Sequence, residues 1–437
     1  MRPQQIASNR IAACVIVLMI GASAIACAGT VAPTPISTTL TLVTATSIPK
    51  PTANASRSVP TRTPIASTGA ITLTLWTTED LAPGSTPDGK IWRNQFDAFT
   101  AANPNIYINV VLKKPTGKGG LLDFLATTSA IVPSQLPDLV ILDIADIPTA
   151  FDTGALQPLD GWLPVEMTSD LFPFAAQAAH HSNQWIALPF AADTQHLVYK
   201  PGTVKTPPKT WDDLYRQRFA ILLPLASEDA FIAQYTAIAP VTSTTTQLDL
   251  TTTTAVLSFF KRAHDLGLMS EAVVGLKSST ETWAAFVAGQ APLAQAMASQ
   301  YLAESDKLTD TLYAQLPTRD GNIGTLASGS AFAITTRDPV RQAAAARFIQ
   351  WMVQSDRMTT WLRAARKLPA NRSMVTQVIE STAYAVFLRE ELARAAYVPH
   401  TPANDKIADA LRSAILNVWK GQTTPDEAAR AVVAASK

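Results

Sequence analysis

The sequence predicts an α/β protein with enough chain for two domains, and three observations carry that prediction. Ile71-Thr-Leu-Thr-Leu-Trp76 alternates apolar and polar residues, the pattern of a strand. From there to Leu142, strand-like and helix-like segments take turns along the chain. Beyond residue 68 the chain has the length of two ordinary domains, and a hydrophobic content of 47% is sufficient to fill both cores.

The elements follow in order. The first strand ends at the polar turn Thr77 to Asp80. A helix is predicted over Ile91 to Ala102, where Trp92, Phe96 and Phe99 share one face at spacings of four and three, and Asn103-Pro104 closes the run. Ile106 to Leu112 is a second strand and Gly120 to Ala130 a second helix. Pro137-Asp138-Leu-Val-Ile-Leu142 is a short apolar run, as a buried parallel strand requires. Ala187 to Leu214 reads as an apolar strand, a small-residue turn holding Asp193, a second strand ending in Tyr199, a Pro-rich turn, and a helix opening at Thr210.

Residues 1–26 carry Arg2 and Arg10 and an apolar run from Ile11 to Ile25. That run is shorter than the roughly 20 residues that cross a bilayer, so the segment is expected to be an export signal. The small residues Ala24-Ile25-Ala26 ahead of Cys27 resemble the lipobox of bacterial lipoproteins, in which the thiol takes a diacylglyceryl group and becomes the mature N-terminus. Ala24 stands where a Leu is usual, and Ala-Ile-Ala also suits an ordinary signal peptidase. Cys14 leaves with the signal and Cys27 is acylated in this reading, so no pair remains for a disulfide. Thr30 to Thr68 is mostly Thr, Ser and Pro, with Lys50, Arg57 and Arg62 as its only charges. Such a segment buries too little apolar surface to offset the entropy of ordering, so residues 27–69 are expected to form a tether. A formal net charge of +1 supplies no concentrated basic surface, and nucleic acid is not expected as a partner.

LTLWTT, WRNQFDAFTAANPNIYINVV and LPDLVILDIADIPTAFDTGALQPLDGWL occur in that order, followed by the crossing-like stretch ALPFAADTQHLVYKPGTVKTPPKTWDDL. Then come TWAAFVAGQAPLAQAMAS, GSAFAITTRDPVRQAAAARFIQWM and KIADALRSAILNVWKGQTTPDEAARAVVAA. Together they cover nearly all of residues 70–437, and their order and spacing resemble the family 1 extracellular solute-binding proteins of ABC importers, the group that includes maltose- and other sugar-binding proteins. The resemblance implies a two-lobed, type II periplasmic-binding-protein-like fold. Lobe 1 would comprise 70–190 plus 329–370, and lobe 2 would comprise 195–325 plus 375–437. The three crossings fall near Ala191 to Thr194, Thr325 to Ser328 and Leu368 to Ser373. It also implies a non-enzymatic, monomeric lipoprotein on the outer face of a bacterial membrane, without a cofactor, that closes on a carbohydrate and delivers it to ABC permease subunits.

A sugar needs carboxylates and amides for its hydroxyls and flat rings for its C–H patches. Trp76, Thr78, Glu79 and Asp80 sit at the carboxyl end of the first strand, where open α/β sheets bind ligands, and Asp143 and Asp146 follow the third strand in the same way. Trp76 reads equally as core, and Asp146 as a helix cap. By resemblance, Asp193 matches a ligand-contacting acid at the first crossing and Tyr301 an aromatic that stacks on the ligand from the second lobe. Their structural alternatives are a hinge-shaping turn and core packing. Trp283, Trp211, Trp351, Trp361 and Trp419 sit in helical patterns and read as structural, and Trp185 is weakly placed. His180-His181 looks like a metal pair, but neighbouring helical side chains diverge by about 100°, and no metal site is expected.

No G-x-S-x-G, H-E-x-x-H, C-x-x-C or G-x-x-x-x-G-K string occurs, which removes the usual local signatures of hydrolases, zinc peptidases, redox proteins and P-loop enzymes. A lipid-anchored glycoside hydrolase escapes that filter, because it needs only two suitably spaced carboxylates. Among binding proteins, the acids at three loop sites speak against an anionic solute and leave a polyamine or other small cation as the alternative.

Overall fold

The computed structural model describes residues 69–239 and 247–436. The export signal, Cys27 and the tether up to residue 68 lie outside the described residues. Among the described residues, eleven strands are β1 Ile71–Thr77, β2 Ile106–Leu112, β3 Leu139–Asp143, β4 His180–His181, β5 Gln184–Trp185, β6 Leu188–Tyr199, β7 Ile221–Leu222, β8 Leu293–Met297, β9 Leu312–Ala314, β10 Ala327–Ile334 and β11 Leu368–Pro369. The main sheet runs β2-β1-β3-β10-β6-β8-β7. β1 pairs in parallel with β2 and β3, and β10 enters antiparallel between β3 and β6.

β6 belongs to two sheets at once. Its first half, Leu188 to Thr194, pairs with β10 and, at Ala191 and Ala192, with β11. Its second half, Gln195 to Tyr199, pairs with β8, and Leu197 to Tyr199 also pair with β9. The change of partners between Thr194 and Gln195 divides the molecule into two α/β lobes. The small-residue turn expected around Asp193 is therefore a continuous strand. Ala191, Ala192 and Asp193 look turn-like in sequence, but ladders on both sides hold the backbone extended, and small side chains let those neighbours approach.

Helices clad both lobes. Pro87–Ala102 begins where the Thr86 hydroxyl accepts from the Gly89 amide, four residues before the expected start. It buries Trp92, Phe96 and Phe99 against the helices Pro339–Met352 and Ser355–Ala365, with Trp92 5.0 Å from Trp361 and Phe96 4.9 Å from Phe348. In the second lobe Trp211, first residue of the helix capped by Thr210, stacks on Phe259 at 4.7 Å. Asp138, just ahead of β3, accepts from the Thr74 amide at 2.7 Å and from two guanidinium nitrogens of Arg341. This pairing ties strand β1, strand β3 and the helix Pro339–Met352 together at the end of the sheet away from the strands' carboxyl termini.

At Gly329, which pairs with Ala192, a Cβ would lie 2.5 Å from the Ala191 carbonyl oxygen. Gly329→Ala is expected to lower unfolding free energy by about 1–3 kcal/mol, because backbone must move to admit it. Gly202→Ala, in open space, should change it by less than about 0.5 kcal/mol. Urea denaturation of both variants checks this; equal effects would show that the contact between β10 and β6 is not tight.

Candidate ligand-binding cleft

Where the two sheets meet, a cavity of about 190 Å³ opens at the carboxyl ends of β1 and β3. Parallel strands end on the same side, so Thr78 and Asp80 past β1 arrive beside Asp143 at the end of β3 and Asp146 after it. Asp193 joins them from the middle of β6, with Ser328 and Ser330 of β10 on the floor. Lys367, immediately before β11, and His400 complete the charged lining. Other sequence candidates lie elsewhere. Glu79 is exposed on a short 3₁₀ turn outside the lining, and Trp76 is buried beneath the Lys113 ammonium, which sits 4.1 Å from its ring centre.

Each acid has a different environment. Asp80 accepts from the Thr78 hydroxyl at 2.6 Å, and its other oxygen lies 3.9 Å from the Lys367 ammonium. Asp143 accepts from the Ala145 amide at 2.8 Å and caps the 3₁₀ turn Ile144–Asp146, whereas Asp146, the better cap candidate by sequence, makes no side-chain cap bond to the helix Ile147–Asp152. Burial pushes the Asp143 acid up to about 6 against that bond, with Asp146 adding to the rise. Asp143 is nonetheless exposed at the cleft, and that exposure screens the effect. Asp146 is buried and pairs with His400 Nδ1 at 2.7 Å. This bond, ahead of the cost of burial, holds His400 up to about 9. Asp193 accepts from the Thr194 amide at 2.9 Å and from the Ser299 amide at 3.1 Å, in the first turn of the helix Ala298–Glu304. Burial raises its acid, partly offset by Ser299, Thr194 and Lys367.

Tyr301 lines an adjoining cavity of about 270 Å³ with Tyr313 and Tyr384, and Lys367 borders both cavities. The three tyrosine rings meet at centroid distances of 4.4–5.6 Å. Beneath them His196 of β6 is fully buried, its Nε2 2.7 Å from the Tyr384 hydroxyl, and burial lowers its pKa to about 4. Tyr301 itself is only 9% exposed, so most of its ring serves packing. On the second lobe's side, Asp229 is pushed up to about 6, chiefly by burial, and accepts from Gln195 Nε2 at 3.4 Å.

Sequence reasoning missed Lys367, His400, Ser328 and Ser330. His400 meets its partner across 254 residues, and no local pattern announces such a pairing. Lys367 carried one signal, its place directly before the crossing expected at Leu368. His180 and His181 lie on a strand rather than a helix and diverge, His180 against Trp185 and His181 stacked on Phe151. Among the described residues no group of three or more His, Cys, Asp or Glu is disposed to hold a metal ion. The cleft thus offers carboxylate acceptors, hydroxyls and an ammonium donor, with phenol rings adjacent.

The bacterial extracellular solute-binding protein family matches residues 94–386. A maltotriose-binding protein of Pyrococcus abyssi is 30% identical over 125 residues, 29% of this chain and 26% of its own length, so the chain aligns with about a quarter of that relative. The cyclic α-maltosyl-1,6-maltose binding protein of Arthrobacter globiformis superposes with a TM-score of 0.69 at 19% identity, over 84% of this chain and 98% of that one. The maltotriose binding protein of Thermus thermophilus, bound with maltotriose, does so with a TM-score of 0.63 at 17% identity, over 83% and 98%. At these identities the structural likeness establishes the two-lobed fold.

The His400–Asp146 pair has a defined pH signature. Because the folded pKa of His400 is raised above its ordinary value, its stabilisation is complete below about pH 6.5 and is lost as pH rises through about 9. The ring is half exposed, so the pair is worth about 1 kcal/mol or less. His400→Gln should melt below the wild type at pH 6 and coincide with it above pH 9.5; calorimetric melts across that range decide, and a gap that widens with pH would contradict the assignment.

Proposed function

Because the chain belongs to the bacterial extracellular solute-binding protein family, we propose that it captures a carbohydrate, a mono- or oligosaccharide, between its lobes and presents it to the permease of an ABC importer. The observation that carries the proposal is the cleft lining, in which carboxylates, serine and threonine hydroxyls and Lys367 surround one cavity and three tyrosines the next. A sugar hydroxyl donates and accepts at once, and only a lining of both kinds satisfies it in a partly dry site. The names of the related maltotriose- and cyclic-maltosyl-maltose-binding proteins support the same substrate class.

The mechanism is closure about the waist. Lobe 1, residues 70–190 plus 329–370, and lobe 2, residues 195–325 plus 375–437, each present part of the lining, and a solute that touches both favours the closed form. Asp80, Asp143 and Asp146 act from the first lobe, with Thr78. Asp193 acts from the waist and Tyr301 from the second lobe. Glu79 and Trp76 would shape the rim and support the β1 loop. Cys27 carries the lipid, and the tether spaces the monomeric binding unit from the outer face of the membrane. A small cation such as a polyamine is the second reading, favoured by four carboxylates against two cations in the lining.

Thermal shift against a panel of mono- and oligosaccharides tests the proposal, since a ligand of the native state must raise the melting temperature. A response to polyamines with silence across the sugars would replace the substrate class. Asp143→Asn sharpens the test. The fold holds the Asp143 acid above its ordinary value, so the ionised form costs stability increasingly as pH rises from about 4 through about 6. The variant is expected to be more stable than wild type at pH 7.5, by about 1 kcal/mol or less given the exposure of Asp143, while the sugar-induced shift shrinks. An unchanged shift would remove Asp143 from the site.

A further inference from the structure

We propose that Lys367 sets the specificity of the cleft: its ammonium stands among Asp80, Asp143 and Asp193 where the charge of a cationic solute would otherwise sit, so the cleft admits neutral polyols and turns amines away. The inference rests on the carbohydrate reading above and decides between it and the cationic one.

The backbone delivers this side chain deliberately. The helix Ser355–Ala365 ends at Arg366, which takes the left-handed conformation at φ 54° although it has a Cβ. Glycine is the usual residue there, because a Cβ crowds the following carbonyl in that conformation. The Lys367 amide then donates to the Leu362 carbonyl at 3.0 Å, closing the helix end, and Leu368 and Pro369 pair at once with Ala192 and Ala191 of β6. Lys367 is thus held between a helix stop and a strand, one residue from the waist, and points into the charged cavity.

The ammonium is shared rather than locked. Its nearest carboxylate oxygen, on Asp80, is 3.9 Å away, longer than a hydrogen-bonded pair, and its field also reaches Asp143 and Asp193. The other charged groups facing the cavity are committed: Asp146 is paired with His400 at 2.7 Å. Remove the ammonium and three carboxylates face one another with no free cation among the described lining residues, a site for a solute amine. With it present, a second cation meets like charge in a confined space, while a hydroxyl meets both a donor and acceptors.

Titration calorimetry with spermidine at low salt tests this on the wild type, Lys367→Met and Lys367→Arg, with Lys367→Gln as a second neutral variant should the Met protein melt early. The expected result is no heat with wild type or Lys367→Arg, and binding at least tenfold tighter in a neutral variant, weakening as sodium chloride is added. A folded neutral variant that gains nothing, or a wild type that already binds spermidine as tightly, overturns the proposal. The two readings fail separately. A wild type silent to every sugar ends the carbohydrate assignment, whereas the spermidine response of the neutral variants decides the role of Lys367.

Discussion

One constraint shapes the molecule: a single strand must serve two sheets and change partners in mid-course without leaving buried backbone groups unpaired. An orphaned amide or carbonyl in a dry interior costs about as much as several surface contacts contribute. At the change-over the structure spends side-chain hydroxyls on the task. Thr194 and Thr325, both fully buried, sit 3.0 Å apart, and Thr325 Oγ1 donates to the Gln195 carbonyl at 2.6 Å. The Gln195 amide donates to Leu326 and its side chain accepts from Gln295 at 2.8 Å. The change of partners is consequently polar and bonded through side chains as well as backbone.

The contrast between the two ends of β3 shows how the same residue type serves packing and function. Asp138, ahead of the strand, receives an amide and an arginine fork and is a finished structural joint. Asp143, at the other end, accepts one amide bond, has no ion pair among the described residues, and its acid is raised by desolvation and by neighbouring Asp146. The incompletely satisfied carboxylates thus gather at the carboxyl ends of the strands, in the cleft lining.

The aromatic cavity is built on the same strand. His196 sits on the second half of β6 and bonds Tyr384, whose ring packs on Tyr301 and Tyr313. A buried neutral histidine and three phenols thus pack against one another on the strand that changes sheets.

Periodicity and turn chemistry determined the strands at Ile71, Ile106 and Leu139, the buried face of Trp92, Phe96 and Phe99, and the helix cap at Thr210, because each depends on neighbours within a few residues. Strand direction then placed Thr78, Asp80, Asp143 and Asp146 at one edge, since parallel strands end together. The tertiary structure decided the rest. It drew Ala191 to Asp193 straight with ladders from β10 and β11, moved Tyr301 into a separate tyrosine cavity, left Glu79 at the surface, and brought Lys367 and His400 to carboxylates hundreds of residues away. Those outcomes turn on contacts between distant segments, and the free energy of a contact resides in the pair, so neither partner's local sequence carries it.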